Sequence, residues 1–516
     1  MIRKILTKSI IVGLCGGLLL APCRVKAAED TSSSGLEDLI QLLQAKKIVS
    51  AQEAAGFIKK LRQTERRKET KPVITIIPRG QMYMKQLSDT VAANIKDQVK
   101  DQVKYEIKDE VVREIKLGER TGPIPSWVQR IRWGGDIRLR HQEDLFDKTN
   151  AYLQDPNNPG ILLNTTHNRM RERIRVRIAM KAEVNDQVEV GVRLATGNDK
   201  EPVSTNSTMG DYFNKHGFVL DQAYLRWVLL PEVTLVGGRM PNPFFSTDLV
   251  WDKDINFEGI AVQIKKPLLG VWRGFANLGY FPIQEVKLSY GDKYMVGGQV
   301  GIEYEPRPEL LGKFGIAYYD YHNITGVPNT AGRPGYYDYT LPAFRQWGND
   351  YYDINTFVGT AGTSVAYGLA SEFKLLNLTM SFNVGLFDPV NISLLGDYVT
   401  NLGFDHDEIL NRTGLSFDKE TDGYMVALAV GYPKITQLGD WKVSVAYKYL
   451  EKDAVLDAFT DSDFHLGGTN AKGWILGTDI GLYDNVWTTI RWLSSDVITG
   501  VPYSVDTVQL DLNARF

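Results

Sequence analysis

Beyond residue 28 the chain has no cysteine, because its two, Cys15 and Cys23, both come earlier, so no disulfide can hold the rest together. Histidine is scarce, six in 516 residues. His141, His167, His216, His322, His406 and His465 show neither metal-ligand nor nucleophile-base spacing, which argues against an enzyme and against a metal or other cofactor. Past the first 28 residues no apolar run reaches about 18 residues, so no helix there is fit to cross a membrane. Anything that spans must be a closed sheet. An excess of one charge is also missing: the formal net charge is −3, and nucleic acid is not an expected partner.

What the chain does have is 25 Tyr, 20 Phe, 10 Trp and 47 Gly, a composition that favours strands and turns. Residues 1–28 read as an export signal: Arg3, Lys4 and Lys8 precede an apolar run over 10–21, and Val25-Lys26-Ala27 supplies a small-residue exit. Pro22 stands where a lipoprotein site at Cys23 would need a small residue.

Residues 29–72 read as a short helical segment with a basic linker. Ser50 is placed as an N-cap, with Glu53 as its capping-box partner. In 73–122, Leu87, Val91, Ile95, Val99, Val103, Ile107, Val111 and Ile115 recur every fourth residue, the mark of an amphipathic helix. Four-residue spacing advances the apolar stripe by about 40° per step, opposite to a heptad seam. Two readings stay open: a solvated helix against a barrel mouth, or a periplasmic coiled coil that assembles three copies.

From 123 to 516 the pattern is that of an all-β chain. Tight turn signals fall at Asn185-Asp186, Pro231-Glu232, 266–270, 306–311, Asp388-Pro389, 433–439 and Asp484-Asn485. They alternate with longer polar intervals near 142–167, 198–217, 242–256, 282–293, 322–362, 401–421, 453–469 and 496–502. Short turns on one side and long loops on the other is the arrangement of an outer-membrane barrel. Both ends of the sheet must lie on one side, so the strand number is even. Joining the pieces within 365–386, with a bulge near Asn377, gives about sixteen strands.

The alternation itself points to lipid. Tyr424, Val426, Leu428, Val430 and Tyr432 share one face, as do Trp441, Val443, Val445, Tyr447 and Tyr449. Eight residues rise about 26 Å, or about 20 Å after a 40° tilt, with aromatics at both ends. In 506–516, Val508, Leu510, Leu512, Ala514 and Phe516 alternate with Thr507, Gln509, Asp511, Asn513 and Arg515. This is the expected closing strand, with Phe516 as the membrane-assembly signal.

The strongest functional feature is Arg169, Arg171, Arg173, Arg175 and Arg177 on one strand face. Facing lipid, each would cost about 2–4 kcal/mol near the midplane, so the column must face water. Arg138 and Arg140 with Asp136, then Glu189 and Arg193, then Tyr224 and Arg226 extend this basic wall on neighbouring strands. The segment after the fifth strand supplies Asp248, Asp252, Asp254 and Glu258. Folded inward, these carboxylates would oppose the arginines and form a constriction with a transverse field. The plainer alternative neutralises the arginines with Glu172, Glu189 and water and leaves the loop at the rim. Whether 242–256 or 322–362 enters the lumen is not legible from sequence.

Several runs together resemble one family: Trp133-Gly134-Gly135-Asp136-Ile137-Arg138-Leu139-Arg140, the arginine column, Leu220-Asp221-Gln222-Ala223-Tyr224-Leu225, Gly238-Arg239-Met240-Pro241-Asn242-Pro243-Phe244, Leu249-Val250-Trp251-Asp252 and Gly396-Asp397-Tyr398-Val399-Thr400-Asn401. With its N-terminal helical extension, the chain is similar to the bacterial putative porin family. The resemblance implies a diffusion channel of sixteen-stranded type in the outer membrane of a Gram-negative-type bacterium, trimeric as in general porins. Its contacts would be outer-membrane lipid and small hydrophilic solutes. The arginine wall adds a lean toward anions, since guanidinium forks match carboxylate and phosphate. The competing reading is a structural protein that tethers the envelope, with 30–118 reaching cell-wall polymer or a periplasmic partner.

Overall fold

The computed structural model describes residues 130–155, 160–287, 291–356 and 365–516. The expected signal segment 1–28, the short helices of 29–72 and the four-residue repeat of 73–122 lie outside the described residues.

The described strands are β1 (Ile131–Phe146), β2 (Arg169–Glu183), β3 (Val188–Thr196), β4 (Ser207–Thr208), β5 (Phe218–Leu230), β6 (Val233–Pro241), β7 (Asn256–Pro267), β8 (Trp272–Gln284), β9 (Lys293–Arg307) and β10 (Leu310–His322), followed by β11 (Tyr351–Asp353), β12 (Tyr367–Leu369), β13 (Lys374–Phe387), β14 (Val390–Asn401), β15 (Asp422–Gly431), β16 (Trp441–Leu450), β17 (Ala471–Tyr483), β18 (Val486–Val497) and β19 (Ser504–Arg515). All but β11 and β12 join one seventeen-stranded sheet. Setting aside the two-residue β4, sixteen antiparallel strands form a closed barrel. β19 pairs with β1 from Asp136↔Arg515 to Phe146↔Val505. Phe516 extends the seam, donating to the Gly135 carbonyl at 3.1 Å and accepting from the Gly135 amide at 3.0 Å.

Side-chain alternation sets the two faces. On β15, Tyr424, Val426 and Leu428 are exposed outward, while Met425 is buried inside. On β19, Leu510 and Leu512 point out, and Thr507, Gln509, Asp511 and Asn513 are buried within. Such a wall, apolar outside and polar inside, suits β-branched and aromatic residues on one face only.

The strand over 374–387 differs from expectation. Its register runs unbroken through Asn377, which pairs with Ala317 and Val399, and the irregularity falls instead between Val384 and Phe387 beside the turn. The alternation only looks broken because Leu375 faces inward, fully buried in an interior apolar cluster. Residues 367–369 leave the wall altogether and pair with Tyr351–Asp353. The connection between β10 and β13 therefore runs over 323–373, longer than the 322–362 expected.

A basic side chain on the outer face at mid-strand exposes the membrane solvent directly. Val426, 52% exposed on that face, is the test position. Val426→Arg should lower folding stability in lipid vesicles by about 2–4 kcal/mol, measured by urea titration and by the loss of heat-modifiable mobility.

Candidate channel interior

Closure brings three strands together at the seam. The β1–β2 register sets Asp136 opposite Arg177, Arg138 opposite Arg175 and Arg140 opposite Arg173. The β1–β19 register sets Arg140 opposite Asp511. Arg138, Arg140 and Arg175 are buried inside the barrel.

Most of these guanidiniums meet carboxylates. Asp136 bridges Arg175 and Arg177, each at 2.8 Å. Arg140 holds Asp511 with two nitrogens at 2.7 and 2.9 Å and reaches Asp463 at 3.0 Å. Arg171 pairs with Asp144 at 2.9 Å, and Arg193 pairs with Asp221. Arg138 donates to the Asn206 side chain and lies 3.9 Å from Asp511. Among the described residues Arg173 has only the Ser204 hydroxyl as a hydrogen-bond partner, at 3.5 Å. Among the described residues the buried Nε–H groups of Arg138, Arg171 and Arg173 have no hydrogen-bond partner. Arg169, exposed at the loop end of β2, and Arg226, half-buried on β5, make no ion pair among the described residues.

The acidic side differs from the sequence expectation. The segment 242–255 runs inside the barrel, where Phe245 exchanges backbone hydrogen bonds with the Gln299 side chain at 2.8 and 2.6 Å, and Thr247 donates to Asp397. Across the interior, Lys448 donates to the Asp248 carbonyl at 3.0 Å. Of the four carboxylates, Asp254 meets an arginine, Arg177 at 3.3 Å. Asp252 instead accepts the Ser462 amide at 2.8 Å. Glu258 is not in the loop. It lies on β7, on the face of exposed Ile260, and pairs with Arg239 at 2.7 Å. Glu172 does not neutralise the column either, because strand alternation puts it on the outer face with His141, at 2.6 Å.

The main counter-charge comes from the loop between β16 and β17, in sequence one polar interval among several. Asp463, in 451–470, contacts Arg140 at 3.0 Å, Arg491 at 2.8 Å and Lys253 at 3.4 Å. The acid-rich run Asp457-Ala458-Phe459-Thr460-Asp461-Ser462-Asp463 was visible, but nothing in it says the loop turns inward. Loop 323–373 joins the same assembly: the Gln346 amide donates to the Asp457 and Thr460 carbonyls at 2.7 and 3.0 Å. Helix α1 (His406–Thr413), capped by Asp405, sends Arg412 to the Gly326 carbonyl at 2.7 Å and so ties 402–421 to that loop. The aromatic cluster around Trp251, Phe257 and Phe281, with ring centroids 4.7 and 4.9 Å apart, fills the space between loop and wall.

A family model for putative porins matches residues 33–516. The chain belongs to the putative porin family. This places the porin in the outer membrane of a Gram-negative bacterium. Among solved structures it is similar to OprB of Pseudomonas putida at high pH (11% identity, 75% of this chain and 95% of that one, TM-score 0.44). It is also similar to a loop L8 deletion mutant of OmpT from Vibrio cholerae (10% identity, 75% and 99%, TM-score 0.41). A third is OmpF of Salmonella typhi in complex with daunomycin (10% identity, 75% and 97%, TM-score 0.40). No curated protein matches the chain.

The porin's inward loops carry carboxyls of opposite tendency. Burial opposes ionisation of Asp463, yet Arg140, Lys253 and Arg491 hold it well below the ordinary 3.8. Burial pushes Asp457 up to about 7, against the Tyr351 hydroxyl that donates to it. Burial and repulsion from Asp461 push Asp252 up to about 7. A raised carboxyl stabilises most below its ordinary value and loses that contribution as pH rises through the folded value. The loop assembly should therefore exchange amide hydrogens faster, after correction for intrinsic rate, at about pH 8 than at about pH 5, and Asp457→Asn should reduce the difference. Asp463→Asn leaves three cations short of a partner. Its expected cost is about 3–5 kcal/mol in the opening free energy of 451–470, read by the same exchange experiment.

Proposed function

We propose that this barrel is a passive channel for small hydrophilic solutes that favours anions. The observation that carries this reading is the inward guanidinium column of β1 and β2, in which Arg173 meets no carboxylate within ion-pair distance among the described residues. A guanidinium without a full counter-charge lends the interior a positive field that favours a passing carboxylate or phosphate. Carboxylates from 242–255 and 451–470 give the narrowed interior its opposite pole, and Asp248, Asp252 and Asp254 take that role. Glu258 does not, since it lies on β7 and is paired with Arg239.

Arg173 is the position to change, because among the described residues its one hydrogen-bond partner is the Ser204 hydroxyl, at 3.5 Å. In a water-filled path a unit charge about 6 Å from the ion is worth about 0.7 kcal/mol, or about threefold in permeability ratio. Planar-bilayer reversal potentials in a KCl gradient should show chloride preferred, and Arg173→Gln should lower the chloride-to-potassium ratio by about that factor. Strong cation preference that persists after loss of Arg171, Arg173 and Arg175 removes the arginine wall as the selectivity element.

Assembly into trimers through 73–122 is part of the proposal, supported by the every-fourth-residue apolar repeat from Leu87 to Ile115. Deleting 30–118 should leave single-channel conductance intact and abolish cross-linked trimers. Trimers that survive, with an envelope that detaches from the cell wall, would favour the tether.

A further inference from the structure

Toward the loop end the interior holds a cavity of about 950 Å3, within the about 300–1,000 Å3 range of pockets that enclose a small organic ligand. Rings supply much of its apolar lining: Trp251, Phe257, Phe281, Tyr321, Phe344 and Phe459 all border it. Lys293, the first residue of β9, also lines it and is only 3% exposed. Its ammonium donates to the Leu341 carbonyl at 2.5 Å. Among the described residues no carboxylate comes within ion-pair distance of it. Two of its three protons therefore lack an acceptor there, which is costly for a buried cation.

The acids around the cavity are already engaged. Asp221 pairs with Arg193, Glu258 with Arg239, and Asp457 accepts from Tyr351. Glu201 lies in the field of Arg173 and Arg171, and the exposed Asp199 and Lys200 are of opposite sign. What remains unmatched is a buried positive donor in an aromatic box.

We infer that this cavity binds an aromatic carboxylate, with its rings among the lining side chains and its carboxylate on the Lys293 ammonium. As the substrate class of the channel this rests on the channel reading, but binding is measurable without conduction.

The test is titration calorimetry on the full chain in lipid nanodiscs with 2-naphthoate. Naphthalene-2-methanol keeps the rings and loses the charge, and cyclohexanecarboxylate keeps the charge and loses the rings. Saturable one-to-one binding of 2-naphthoate is expected, about tenfold or more weaker for either analogue and for Lys293→Met, the worth of one charge-assisted hydrogen bond. Lys293→Arg should restore binding, and Phe344→Ala, which removes a lining ring, should weaken it several-fold, which keeps the test decisive if Lys293→Met fails to fold. Absence of saturable binding, or equal binding by the two carboxylates, overturns the inference. In bilayer recordings of the same protein, conduction without binding leaves the channel and removes the site. Binding without conduction does the reverse.

Discussion

Backbone amides in hydrocarbon have no water to turn to, so each must find another strand. Everything else in this molecule follows from how that demand is met at the seam. β19 pairs with β1 over eleven positions, and Phe516 adds one more reciprocal pair. Once the seam is fixed, period-two alternation leaves no choice about which side chains go in. The basic inner face of β1 and β2 must then share the interior with Asp511 of β19.

Enclosing so many guanidiniums sets a second condition. An ion stripped of water costs several kcal/mol, and its pair returns about that much only when the geometry is good. Asp136, Asp144 and Asp511 on the wall meet part of the need. The remainder comes from 242–255 and 451–470, which turn inward: Asp463 reaches Arg491, which no strand carboxylate pairs among the described residues, and Asp254 and Asp463 add second partners to Arg177 and Arg140. Electrostatic demand and aromatic packing thus act on the same loops. Trp251 stacks near Phe459, at 6.0 Å between centroids, where the two segments meet.

The wall was legible because it obeys a strict rule. Turn signals at Asn185-Asp186 or Asp484-Asn485 and the alternations of 424–432 and 506–516 each constrain register, and parity removed the surplus strand. The exceptions have local causes. Leu375 looked like a break because an apolar residue faces in where a loop covers it. Glu258 looked like part of a loop because its outward partner, Arg239, lies on another strand. Direction was the missing information for loops: the spacing of Asp457, Asp461 and Asp463 is compatible with a rim or a plug. Only contacts distant in sequence, such as Arg140 with Asp463, decide between them. The cavity had no sequence signal at all, since its rings come from five separate stretches of chain.

The two-residue β4 has a mechanical meaning. β2 outruns β3, and the edge left bare is covered by Ser207 and Thr208, which pair with Ile174 and Arg173. The segment that carries Ser204 and Asn206 to the guanidiniums is therefore stitched into the wall by its own backbone. Swinging it outward would strip hydrogen bonds from an edge that borders lipid. It acts as a buttress for the seam side of the cylinder, and any part of the mouth that moves has to be sought on the opposite arc.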